Sequence, residues 1–139
     1  LILTEGPRML LTPTYHVFDM YKVHQDAVKL PVYVESETVE GMAAVSASAS
    51  EDNEGRIHIS VTNIDVKNEA GVKVELRGLT VSPSAAVHGQ VVSAENMTAH
   101  NTFDRPDTVK IKDFNGASIT GGGLVLTIPP MAVVTVELA

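Results

Sequence analysis

The side chains best able to do chemistry in this sequence are its five histidines and a run of glutamates. His16 and His24 fall on one predicted helix. At 1.5 Å of rise per residue they stand about 12 Å apart along its axis, too far to share a metal ion. His58, His88 and His100 lie on or between predicted strands at no ligand spacing, and read as packed or solvated side chains. Glu35, Glu37 and Glu40 invite a paired-carboxylate reading. On one strand face Glu35 and Glu37 would sit about 7 Å apart, within the range of hydrolytic acid pairs. Same-face acids are also ordinary on a solvated strand, and no neighbour here would raise one pKa above the other. No Ser stands in a Gly-x-Ser-x-Gly setting, and Gly121-Gly122-Gly123 has neither the Lys nor the strand–helix context of a phosphate loop. Asn96-Met97-Thr98 has the pattern of a glycosylation acceptor, a short pattern that arises by chance. These spacings assign no catalytic, cofactor-binding or metal-binding residue, and no cofactor is expected.

Composition narrows the classes further. The 139 residues fit one globular chain able to bury roughly 68% of its unfolded surface. There is no Cys, which removes disulfides, thiolate metal sites and cysteine nucleophiles. Ten basic residues against seventeen acidic give a net charge of −7 with no basic stripe, unlike a nucleic-acid binder. No apolar run is long enough to span a membrane. The chain starts Leu1-Ile2-Leu3 without an initiator Met, and reads as a piece of a longer protein whose localisation signal is not visible.

The elements that must position any site divide in two at about residue 30. Met9-Leu10-Leu11 reads as a buried strand. Thr12 and Pro13 are a good N-cap and first helical residue for a helix from Thr14 to about Gln25. Its apolar stripe runs through Val17, Met20, Tyr21 and His24, widened by Tyr15 and Phe18. One strand and one helix make half a βαβ unit with no parallel partner in this sequence, so residues 1–30 read as a remnant of a larger α/β domain. A stripe of this width should not stay solvated; it should fold on the sandwich or on a second copy.

From Val32 the period is two. Val45–Ser50 alternates; Ile57, Ile59 and Val61 oppose His58, Ser60 and Thr62; Val72, Val74 and Leu76 oppose Lys73 and Glu75. Further strands are expected around Val87–Val92, Val109–Ile111, Leu124–Ile128 and Val133–Leu138, with turns at Asp52–Gly55, Asn68–Gly71, Asn115-Gly116 and Gly121–Gly123. The predicted class is mainly β: an antiparallel, jelly-roll-like β-sandwich over 31–139.

Three stretches carry a resemblance. Leu10–Ala27 is similar to the last strand–helix unit of the (β/α)8 barrel in family 51 α-L-arabinofuranosidases. Ala99-His100-Asn101-Thr102-Phe103-Asp104-Arg105-Pro106-Asp107 and Leu126–Val134 resemble segments of the C-terminal sandwich of those enzymes. The resemblance implies a parent glycosidase that removes arabinofuranosyl groups from arabinan or arabinoxylan with retention. It implies two catalytic glutamates on earlier barrel strands and no metal or cofactor. No Glu of this chain matches either motif. It implies also a barrel partner in cis, an oligomeric parent and, by family habit, a cytoplasmic one. The chain itself is then expected to be a non-catalytic C-terminal domain bracing the barrel or the oligomer. A carbohydrate-binding module and a stand-alone interaction domain are the alternatives. After Tyr33 only Phe103 and Phe114 are aromatic, which disfavours a platform for stacking sugars. The His100–Pro106 loop is expected to dock on the barrel or on its own sandwich, locked by side-chain-to-backbone hydrogen bonds.

Overall fold

The computed structural model describes residues 1–79, 82 and 85–139. In chain order the strands are β1 (Ile2–Glu5) and β2 (Arg8–Leu11), then the helix α1 (Pro13–Tyr21), continued by a 3₁₀ turn (Lys22–His24). There follow β3 (Val28–Leu30), β4 (Thr38–Val39), β5 (Met42–Ala43), β6 (Val45–Glu51), β7 (Ile57–Asn63), β8 (Ala70–Glu75) and β9 (Val87–Val92). The last are β10 (Lys112–Asp113), β11 (Ala117–Thr120), β12 (Gly123–Ile128) and β13 (Ala132–Leu138).

Every pairing among the described residues is antiparallel. A six-stranded sheet runs β10-β9-β13-β7-β6-β3 and faces a three-stranded sheet, β11-β12-β8. The alternation of the sequence fixes which side meets which. Ile57, Ile59 and Val61 of β7 and Val134, Val136 and Leu138 of β13 point inward. They meet Leu124, Leu126 and Ile128 of β12, three side chains with no solvent exposure. Phe114 closes one side of this core. At the end of the sandwich, the buried Asn63 carboxamide donates to the carbonyls of Asn68, Ile128 and Pro129, and its oxygen accepts from Asp65 N. It ties both sheets to the β7–β8 turn.

The strands expected at 45–50, 57–62, 72–75, 87–92, 124–128 and 133–138 are present. Three local expectations are corrected, and one pairing is new. Met9-Leu10-Leu11 has an antiparallel partner in Ile2–Glu5, joined across Gly6-Pro7, where Gly6 takes a positive φ of 56°. The helix stops at Tyr21 rather than Gln25. Val109–Ile111 forms no strand, because Val109 is drawn into a hydrogen bond with Asn101, and pairing begins only at Lys112. Residues 31–37 are irregular and exposed apart from half-buried Ser36, so Glu35 and Glu37 do not share a strand face. Glu40 sits with Gly41 in the tight β4–β5 turn, at φ values of 49° and 80°. The strand Val28–Leu30 pairs with Ala49–Glu51 and is the edge of the large sheet.

The Gly121–Gly123 run is the expected hairpin turn, with Thr120 opposite Gly123. Its glycines differ in what they do. A Cβ on Gly123 would lie 1.9 Å from the Val74 carbonyl oxygen, whereas one on Gly121 would meet nothing within 4 Å. Gly123→Ala should therefore cost about 3 kcal/mol or more by forcing β12 from β8, and Gly121→Ala should stay within about 0.5 kcal/mol of the parent. Urea unfolding of the two variants checks this pair; equal midpoints would refute it.

Candidate functional site

The polar groups that the structure brings together lie on the outer face of the large sheet, under α1. Central strand β7 is buried on both sides: its outward residues His58 and Ser60 are 4% and 1% exposed. Helix α1 covers part of this face. Thr12 caps it, its side-chain oxygen accepting from Tyr15 N at 3.3 Å, and Pro13 fills the first turn. Met20, 1% exposed, packs with Val92 and Val109, and Val133, Ala99 and Ile111 close around them. The predicted stripe thus docks on the sandwich through Met20, with Tyr15, Val17 and Tyr21 half-buried. Phe18 points away and is 64% exposed.

Beyond Met20 the interface turns polar. His24 bridges Ser50 and Ser60, with 2.6 Å from each ring nitrogen to a hydroxyl. Burial, then the neighbouring His58, push the His24 imidazole below its ordinary range. Burial also pushes the Tyr21 phenol up, against the pull of its bond with Ser60. His58 Nε2 lies 2.9 Å from Asp52 Oδ2, and its Nδ1 lies 3.7 Å from Glu137 Oε2. Asp52 is held well below the usual carboxylate range, chiefly by His58, with further bonds from Arg56 and Glu54 N.

This constellation has a Ser–His contact but not a nucleophile's geometry. Ser50 is 3% and Ser60 1% exposed, so no substrate atom can approach either hydroxyl. Among the described residues no three His, Asp or Glu side chains come together to hold a metal ion. His16 contacts Tyr15 edge to face, while His88 and His100 are exposed. Glu35 accepts from the Tyr33 hydroxyl at 3.4 Å. Asn96 turns its side-chain oxygen onto Thr98 N and Oγ1, an ordinary Asx turn.

The His100–Pro106 loop docks as expected, on the N-terminal unit. Asn101, 7% exposed, donates to the carbonyls of Leu11 and Val109 at 2.9 and 2.8 Å and accepts from Val109 N at 2.7 Å. Thr102 and Arg105 close the loop on themselves. Phe103 is half-buried, with the Arg8 guanidinium 5.0 Å above its ring, and Asp104 meets Arg8 at 3.5 Å. Phe103 is thus the lid of a cation–π contact rather than a core ring, and Asn101 is the lock. The sequence marked the segment but not which residue carried it, because the Asn101 partners, Leu11 and Val109, lie outside it.

The described residues form an antiparallel β-sandwich with an accessory hairpin–helix unit. Residues 1–132 match the family of the alpha-L-arabinofuranosidase C-terminal domain, and the chain belongs to that family. It is 38% identical over 143 aligned positions to an intracellular exo-alpha-L-arabinofuranosidase of Bacteroides ovatus, covering 99% of this chain and 27% of that protein. It superposes on the GH51 arabinofuranosidase of Xanthomonas axonopodis pv. citri with a TM-score of 0.87 and 36% identity, over 99% of this chain and 28% of that one. The α-L-arabinofuranosidase of Thermotoga maritima, solved as an arabinose complex, shares the fold at 24% identity and a TM-score of 0.81, over 98% and 30% of the two chains. The chain therefore spans 27–30% of the length of these relatives.

Two substitutions separate lock from lid. Asn101→Ala leaves buried backbone groups of Val109 and Leu11 without partners, and should cost about 3 kcal/mol. Phe103→Ala should cost about 1 kcal/mol, the scale of an exposed cation–π contact, rather than the 3–5 of a core ring. Thermal unfolding of both variants checks the order, and a Phe103 variant less stable than the Asn101 variant would reverse it.

Proposed function

We propose that this chain serves as the non-catalytic C-terminal domain of an α-L-arabinofuranosidase and braces a (β/α)8 catalytic barrel carried elsewhere in the same protein. In this reading residues 1–30 are the end of that barrel and 31–139 the accessory sandwich. The observation that carries it is the placement of exposed apolar side chains. Of the fifteen large hydrophobic residues exposed among the described residues, nine lie between Leu1 and Val34, including Ile2, Met9, Phe18 and Tyr33. Exposed apolar side chains gathered in one stretch of the chain mark surface that a neighbour can cover.

The parent enzyme would release terminal arabinofuranosyl groups from arabinan or arabinoxylan with retention, using two glutamates of the barrel and no metal or cofactor. It would assemble as a homo-oligomer and, like the Bacteroides relative by its name, act inside the cell. No helix among the described residues is long and apolar enough to cross a membrane. A sugar-binding role for the sandwich itself has less support: Phe114 is 8% exposed in the core, and Arg8 already covers one face of Phe103.

The isolated chain should show no turnover of an aryl α-L-arabinofuranoside above buffer. Retaining cleavage needs an acid and a nucleophile about 5 Å apart across the bond, and Glu35 and Glu37 are exposed residues outside any strand. Activity that survives repurification and vanishes in Glu35→Gln or Glu37→Gln would overturn the reading. Micromolar binding of arabino-oligosaccharides in titration calorimetry would replace it with the binding-module alternative.

A further inference from the structure

Helix α1 and its 3₁₀ turn are fastened to the sheet at two points, and the second is a histidine. His24 reaches Ser50 on β6 with Nδ1 and Ser60 on β7 with Nε2, both at 2.6 Å. A neutral imidazole has one N–H and one bare nitrogen, so one serine accepts from it and the other donates to it. The imidazolium donates at both nitrogens, so the donating hydroxyl must turn and find another acceptor. Both serines are almost wholly buried, where such a search is costly.

The surroundings also disfavour the charged form. Tyr21 faces His24 from the helix, with ring centroids 5.8 Å apart. His58 faces it from β7. The carboxylates of this face, Asp52 from the β6–β7 turn and Glu137 from β13, stand within ion-pair distance of His58. Arg56 lies on Asp52.

We propose that His24 is a proton-operated latch: neutral, it fastens α1 and the 3₁₀ turn to the large sheet; protonated, it frees them while the two sheets stay folded. The two sheets do not depend on it, since their core lies on the other face of β7 and β13. Burial, and after it the field of His58, lower the His24 imidazole from 6.5, which supports the same direction. The sign follows from linkage. The freed segment takes up the proton more readily than the docked one, so docking is complete above about pH 6.5 and is lost as the pH falls below it.

Amide hydrogen exchange on the full 139-residue chain from pH 7.5 to 4.5 tests the latch. Each rate is divided by its unstructured-chain value, and α1 amides such as Met20 and Tyr21 are compared with Ile59 and Val61 of β7. Protection of α1 should fall by up to about tenfold per pH unit, the slope for one proton, while β7 holds. In His24→Gln, which cannot take a proton, the ratio should be flat. His58→Gln removes the neighbouring imidazole that lowers His24 and should move the midpoint to higher pH, which keeps the test decisive if His24→Gln does not fold. A constant ratio in the parent chain, the same fall in His24→Gln, or a midpoint unmoved in His58→Gln would each overturn the proposal.

Discussion

The structure depends on one constraint: the six-stranded sheet has two faces, and its central strand is buried on both. Inward, Ile57, Ile59 and Val61 meet the second sheet. Outward, His58 and Ser60 are equally hidden, although they are polar. A buried polar side chain is tolerated only when its hydrogen bonds are made. Among the described residues no buried side-chain nitrogen or oxygen lacks a partner. That is achieved by bringing other polar groups to them: His24 from the 3₁₀ turn, Asp52 from the β6–β7 turn and Glu137 from the adjacent strand. The hairpin–helix unit is therefore an outer layer of the sandwich and not a loose appendage.

The same logic explains why two asparagines hold the ends. A carboxamide both donates and accepts, so one side chain can close several backbone groups left over where strands stop. Asn63 does this between β7 and the β12–β13 connection. Asn101 does it between β2 and the long β9–β10 connection. Neither contact could be made by Asp, which at neutral pH has no donor for the facing carbonyls. Surface ion pairs add little by comparison: Lys22–Asp19 and Lys73–Glu75 are exposed and belong to the class worth under about 1 kcal/mol.

The β-alternation was legible because it is a local signal. Ile57–Thr62 and Val133–Leu138 announce both strand and facing, and Thr12-Pro13 announces a helix start, since capping needs only the next three residues. What the sequence hid were long-range relations. The outward side of β7 looks like a solvated face, because His, Ser and Thr are as fit for water as for a hydrogen-bonded interface. Ile2–Glu5 was missed as a strand since four residues before Gly6-Pro7 carry little period. The Glu35–Glu37 pair was placed on a strand that the structure lacks: Pro31 and the Ser36 hydroxyl, which takes Val45 N, divert the backbone. Asn101 was inside the marked loop, yet its partners lie 90 and 8 positions away, and nothing local names them.

The distribution of chemistry follows from this arrangement. The buried titratable contacts of the outer face, His24 on Ser50 and Ser60 and His58 on Glu137, join neighbouring layers and strands. A hydrolytic pair needs two carboxyl groups held at fixed separation in different surroundings, one protonated and one not. Asp52 and Glu137 both face the His58 imidazole and so share one environment instead of having two different ones. Asp52 and Glu137 therefore serve to hold His58 under the outer layer, while nine of the fifteen exposed large hydrophobics among the described residues lie between Leu1 and Val34.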